Sequence, residues 1–167
     1  MKKEFLKRYM RRIYRPGAEE LLQWLETTDF FRVPASAPSH LSYKGGLAEH
    51  SVHVYERLRR MFMLEFTDGE TPYPEQYETI AICGLLHDIC KIEDDFPSGH
   101  GEKSVYIISQ FMKLSREEAM AIRWHMGFSD NEFKAGGSLV TKAFEKYPLA
   151  LLTHIADLQA TYLDEMK

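Results

Sequence analysis

Apolar residues recur along this chain at intervals of three and four, from Phe5 to Leu163. Phe5, Tyr9 and Ile13 fall four apart, with Leu6 and Met10 beside them. Lys2, Lys3, Lys7, Arg8, Arg11, Arg12 and Arg15 take the other faces, so an amphipathic helix is predicted that ends before Pro16-Gly17. Leu21, Leu22, Trp24 and Leu25 mark a second helix over residues 18–27. Phe30, Phe31 and Val33 then lead into Pro34-Ala35-Ser36-Ala37-Pro38-Ser39, whose prolines and small residues predict an ordered loop that Gly45-Gly46 closes. A long helix over 46–66 follows, with Leu47, Val54, Leu58 and Met61 inward. After the turn Thr67-Asp68-Gly69-Glu70-Thr71-Pro72, Pro74 opens a central helix that ends in His87-Asp88. Ile80, Ala81, Ile82, Cys83, Leu85 and Leu86 make it apolar nearly all round, the pattern of a buried helix.

Residues 92–101 are polar and irregular, and a helix over 102–112 comes after them. Ser115-Arg116-Glu117-Glu118 is a capping box, so another helix starts there, carries to His125 and stops at Gly127. A polar stretch over 129–137 precedes a short helix over 140–145. Pro148 suits the first turn of a last helix that runs to about Leu163. The period is helical throughout and no strand pattern stands out. The expected fold is all-α, a single domain over 1–167 of seven or eight helices, with the helices of 1–28 packed on a core of 29–165.

Composition narrows the class without choosing a function. The chain has 167 residues, 44% hydrophobic and 28% charged, enough for one globular core. The net charge of −4 is uneven: residues 1–15 hold seven Lys or Arg against one Glu, and the rest holds fourteen against twenty-four acidic residues. The acidic remainder is not a nucleic-acid-binding composition, while the basic start reads either as an electrostatic handle or as the solvated face of a packed helix. No apolar run is long enough for a membrane span, and Met1-Lys2-Lys3-Glu4-Phe5 lacks the apolar core of a signal peptide. Cys83 and Cys90, seven apart on one predicted helix, would lie about 10 Å apart, too far for a disulfide. A reducing cytoplasm is therefore expected.

The candidate chemistry sits at the end of the central helix, in His87-Asp88. A buried imidazole next to a buried carboxylate needs partners for both. A divalent metal would supply them, and a plain His–Asp hydrogen bond would serve as well. The other histidines tip the balance. His50 interrupts the inner face of the 46–66 helix, His100 is flanked by Gly99 and Gly101, and His125 ends a helix. Asp157 lies among Leu151, Leu152, Ile155, Ala156, Leu158 and Ala160 on the last helix. Four histidines and two aspartates so placed supply nitrogen and oxygen donors for a site of two metals.

The order His50 … His87-Asp88 … His100 … His125 … Asp157 resembles the HD superfamily of metal-dependent phosphohydrolases, whose pattern is H … HD … D, extended in many members to H … HD … H … H … D. Gly45-Gly46-Leu47-Ala48-Glu49-His50-Ser51, Gly84-Leu85-Leu86-His87-Asp88-Ile89-Cys90-Lys91 and His154-Ile155-Ala156-Asp157 resemble its three motif segments. The closest flavour is the HD domain of 3′-to-5′ exoribonucleases, without a separate RNA-binding domain. The resemblance implies that His50, His87, Asp88 and Asp157 hold a first metal and that Asp88 bridges to a second on His100 and His125. It implies two divalent ions (Mn, Fe, Ni, Co, Mg or Zn), Asp88 and Lys91 in catalysis, and a phosphoester, nucleotide or nucleic-acid end as substrate. Cys90 stands where the family word His-Asp-Ile-Gly-Lys has Gly; it reads as a small core residue, or as a soft extra ligand. Of Glu93, Asp94, Asp95 and Glu102, one is a candidate to orient water or leaving group, and most read as surface charges. His53 is expected to border the site without binding metal, His154 to orient a ligand, and His40 to reach substrate from the loop before Gly45-Gly46. The competing readings are an HD-type di-iron oxygenase and a non-catalytic helical metal-binding module.

Overall fold

The computed structural model describes residues 1–36, 40–67, 70–92, 99–129 and 138–166, and among these it holds eight α-helices and no strand. Helix α1 (Lys2–Arg12) buries Phe5 and Tyr9, and α2 (Ala18–Thr27) buries Leu21 and Leu25. Phe5 packs between Phe30 and Phe31, its ring centroid 5.0 and 5.5 Å from theirs. The basic face of the first segment is partly spent on ion pairs: Lys2 meets Glu26 at 2.9 Å and Arg8 meets Glu56 at 2.9 Å. Arg15, just past α1, reaches Glu78 and Glu118.

The frame of the site is the pair α3 (Gly46–Phe66) and α4 (Pro74–Leu86). Helix α4 is the predicted buried helix; Ile80, Ala81, Ile82, Cys83, Leu85 and Leu86 are fully buried, and α1, α3 and α6 pack around it. Gly84 sets how closely it approaches α3. A Cβ there would lie 2.5 Å from the Tyr55 Cα, closer than any real contact, so a side chain would force the two helices apart. That approach carries His87 toward His50. Helix α4 ends at Leu86, slightly before the expected point, and His87-Asp88 occupy a turn that leads into a short 3₁₀ stretch, Ile89–Ile92.

Helix α5 (His100–Ser109) starts at His100, two residues before the expected start, and ends before 112. Gly101 lets it lie against α6 (Arg116–Arg123): a Cβ would sit 2.1 Å from the Arg123 carbonyl oxygen. The capping box forms as predicted, with Glu118 N donating to Ser115 Oγ at 3.1 Å and Ser115 N donating to Glu118 Oε2 at 2.7 Å. Helix α6 stops at Arg123, and His125 lies in the turn beyond it. Helix α7 (Ser138–Lys146) packs on α8 (Pro148–Gln159), which opens on the predicted Pro148. The last helix does not run on as α to Leu163: from Ala160 to Glu165 it widens into a π-helix that touches α3. Cys83 and Cys90 are both free and buried. Among the described residues no helix is long and apolar enough to cross a membrane.

Candidate metal centre

Three buried histidines converge from α3, the end of α4 and the end of α6. Each ring is oriented from behind by an acceptor on Nδ1. His87 Nδ1 lies 3.0 Å from the Gly84 carbonyl oxygen, and His125 Nδ1 lies 2.7 Å from that of Ile122. His50 Nδ1 lies 3.1 Å from both carboxylate oxygens of Glu165. Carbonyl and carboxylate oxygens only accept, so each Nδ1 carries the proton and donates it. In a neutral ring Nε2 is then left as a lone pair. The three Nε2 atoms face inward. His50 Nε2 is 3.3 Å from His87 Nε2, 3.1 Å from Asp157 Oδ1 and 3.8 Å from Asp88 Oδ2.

Asp88 lies between two sets of donors. Its Oδ2 is 3.6 Å from His87 Nε2, and its Oδ1 is 3.3 Å from His125 Nε2. Oδ1 and His125 Nε2 are both buried, and neither makes a hydrogen bond despite the short distance. A buried polar atom left unpaired costs about 1–3 kcal/mol. A divalent cation would satisfy both, and imidazole with carboxylate is an ordinary donor set for one. The ligand atoms fall into overlapping trios, each within 4.8 Å: His40, His50 and Glu165; His50, His87 and Asp157; His87, Asp88 and His125; Asp88, Cys90 and His100. The buried cluster thus has the donors to hold metal.

Electrostatics follow from this crowding. Burial pushes the His87 pKa down to about 4, which outweighs the pull of Asp88 and keeps the ring neutral. His50 goes the other way. Burial lowers its pKa, but hydrogen bonds with Asp157 and Glu165 outweigh that and raise it to about 10. Burial raises the Asp157 and Glu165 carboxyls, yet the same contacts hold both down at about 2. Burial also raises Asp88, but the Lys91 ammonium and the neighbouring histidines hold it well below the usual carboxylate range.

All six predicted ligands therefore meet at one place. His100 is the outermost, exposed at the start of α5, with Nδ1 3.4 Å from Cys90 Sγ. Cys90 is 2% exposed, so it is the expected small buried residue and also lies within reach of the donor cluster. Lys91 Nζ sits 2.5 Å from Asp88 Oδ2 and donates to the Ala35 carbonyl at 2.8 Å. His154 stands one step back, its Nδ1 donating to the His125 carbonyl oxygen at 2.7 Å. Glu102 is held away from the cluster by Arg123 at 2.8 Å, and Glu93, Asp94 and Asp95 lie outside the described residues.

His50, Asp88, His100 and Asp157 of the cluster line a cleft of about 360 Å³. Ser36, His40, Lys91 and Thr161 give it a polar side, and Met126, Leu158 and Tyr162 an apolar one. A hollow of about 670 Å³ beside the α1–α2 turn is larger, but no metal-donor trio lines it. Donors, not size, choose the site.

A family model described as HD domain matches residues 47–162, well over half of the chain. The chain belongs to the HD domain family. Neither curated proteins nor solved structures returned a match. The HD domain match spans all six converging residues, from His50 to Asp157, and Lys91 with them. His40 and Glu165 fall outside it. Glu165 is the residue that sequence reasoning missed: its side chain is fully buried, 2.8 Å from His53 Nδ1, 3.1 Å from His50 Nδ1 and 3.5 Å from His40 Nε2. As one more acidic residue near a polar end it gave no pattern to find.

Proposed function

We propose that this HD domain is a metal-dependent phosphohydrolase acting on a nucleotide or a nucleic-acid end. The observation that carries the reading is the convergence of three histidine Nε2 atoms and two aspartates at an open cleft that His50, Asp88, His100 and Asp157 line. His50, His87, Asp88 and Asp157 would hold one ion, and Asp88, His125 and His100 a second. The two Asp88 oxygens face different donors, as a bridging carboxylate requires. Bound divalent ions supply an acidified water near neutral pH and offset charge on phosphoryl oxygens.

The protein's own groups do the rest. Asp88, kept ionised by Lys91, holds the negative charge that the ions need. Lys91 lines the cleft and carries a cation within reach of a phosphoryl oxygen. Tyr162, 62% exposed at the rim, offers an aromatic face to a base, and Leu158 and Met126 continue the apolar side. About 360 Å³ is within the range of small-molecule sites.

The test is elemental analysis of protein made in metal-supplemented medium, followed by a screen of nucleotides and short oligonucleotides with manganese. One or two metal equivalents and oxygen-independent phosphoester cleavage are expected. Protein that carries no metal overturns the site. Stoichiometric metal without turnover on any phosphoester supports the non-catalytic module, and oxygen-dependent turnover of an iron-loaded, coloured protein supports the oxygenase.

A further inference from the structure

We infer that Glu165 is the positioning residue of the metal centre, clamping the Nδ1 edge of His50 so that Nε2 faces the ion. The inference rests on the metal-binding reading above and adds a residue beyond the stretch that the HD domain family matches.

Glu165 shares a trio of donor atoms with His40 and His50, but its oxygens face His50 Nδ1, the ring edge opposite the one that meets Asp157 and Asp88. A buried carboxylate is costly unless its oxygens are donated to. Both oxygens lie 3.1 Å from His50 Nδ1, and Oε1 also lies 2.8 Å from His53 Nδ1. The opposite edge of the same ring, Nε2, is 3.1 Å from Asp157 Oδ1. One imidazole is thus gripped at both nitrogens by two carboxylates from one continuous helical segment.

A plain α-helix does not place those carboxylates together. Eight residues separate Asp157 from Glu165, which overshoots two full turns by about 80° at 3.6 residues per turn. The π-helix Ala160–Glu165 closes its turns with i→i+5 bonds and so rotates less per residue. The widening takes up the excess and returns Glu165 to the side of Asp157. The segment is tied to α3 next door: Arg57 meets both oxygens of Asp164, Nε at 2.9 Å and Nη2 at 2.5 Å.

The chemical consequence is a fixed tautomer. His87 and His125 are oriented by backbone carbonyls, whereas His50 is oriented by a charged acceptor. A carboxylate on the far nitrogen both orients a metal-ligating imidazole and raises its basicity, and losing such a partner typically weakens metal affinity about 10–100-fold.

The experiment uses the full chain, stripped with a chelator and titrated with cobalt(II), for wild type, Glu165→Gln and Glu165→Ala. Circular dichroism checks that each variant is folded. Glu165→Ala is expected to weaken cobalt binding about 10–100-fold. Glu165→Gln keeps an acceptor oxygen but loses the charge, and an intermediate loss of roughly three- to tenfold is expected. Nitrogen-15 spectra of histidine-labelled, zinc-loaded wild type should show His50 protonated at Nδ1. A proton on Nε2 instead, or a folded Glu165→Gln with cobalt affinity within twofold of wild type, overturns the inference even if Glu165→Ala does not fold. Wild type that binds no cobalt overturns the metal centre itself, which distinguishes that failure from this one.

Discussion

Two of the places where the described residues bury charge handle it in opposite ways. Around Arg15 every group finds a protein partner. Its guanidinium donates to both oxygens of Glu118 at 2.7 Å and to Glu78 Oε2 at 3.1 and 3.2 Å. Glu78 Oε1 accepts the Tyr14 and Arg15 amides, and Glu118 also accepts from Thr79 Oγ1 and the Ser115 amide. At the histidine cluster the pairing is incomplete, and buried Asp88 Oδ1 and His125 Nε2 make no hydrogen bond. A closed network ties helices together. Buried ligand atoms left unpaired beside two carboxylates suit a cation, and the protein holds the rings with orienting contacts on their far side. The contrast separates structural charge from functional charge where burial alone would not.

The largest effect should come from breaking the second region at its centre. Asp88→Asn keeps the shape and one carbonyl oxygen but removes the charge between the two donor sets. Phosphodiesterase activity on a generic aromatic phosphodiester, measured with manganese, should fall about 10²–10³-fold, as for loss of a central electrostatic group. Helix content by circular dichroism should persist, because the apolar faces are untouched. A folded variant with the wild-type rate would remove Asp88 from the mechanism.

The first region should answer to stability instead. Arg15→Gln leaves the Glu118 carboxylate, 1% exposed, without its cation. Breaking a buried pair costs roughly 3–5 kcal/mol, and about 2–3 kcal/mol is expected here because Arg15 is partly solvated. The pH dependence has a definite sign. Burial raises the Glu118 carboxyl, but Arg15, Ser115 and Thr79 outweigh it and hold its pKa below the ordinary 4.5. The folded state therefore keeps a charge that the unfolded chain gives up first as acid is added. This stabilisation is whole above pH 4.5 and is lost as pH falls through the folded value. Urea unfolding of wild type should show that acid slope, and Arg15→Gln should flatten it while metal content stays unchanged. A variant as stable as wild type would show that the network contributes nothing.

The two regions were not equally legible. The helices could be read because the apolar period is 3.6 and the caps are explicit, as at Ser115-Arg116-Glu117-Glu118. Among the six converging residues, His50, His87, Asp88 and Asp157 could be read as polar groups on or at the end of apolar helix faces, and His100 and His125 by their places between two glycines and at a helix end. Arg15 was visible only as one more cation on a basic segment; its partners lie 63 and 103 residues away, and nothing local names them. Glu165 was hidden by geometry. Periodicity reasoning assumes α-helical rotation, and the π-helix at Ala160–Glu165 breaks that assumption where the residue matters. Helix ends slipped by a few residues at His100 and Leu86, where turns rather than apolar spacing decide.

The smallest effect sharpens the boundary of the cluster. His53 lies three residues after His50, about 300° round α3, so its ring approaches from the side rather than from the donor face. It is 28% exposed, and its Nδ1 lies 2.8 Å from Glu165 Oε1. Removing it takes one donor from Glu165, but the contact with His50 Nδ1 remains and solvent can fill the place of a partly exposed ring. Glu165 should therefore go on orienting His50. His53→Ala is expected to keep the wild-type number of metal equivalents and to shift cobalt affinity by no more than about threefold, well short of the roughly 10–100-fold expected when the orienting carboxylate itself is lost. Elemental analysis and the cobalt titration read both quantities on one preparation. Loss of a whole equivalent would make His53 a ligand, and the division between the residues that bind the ion and those that only aim them would have to be redrawn.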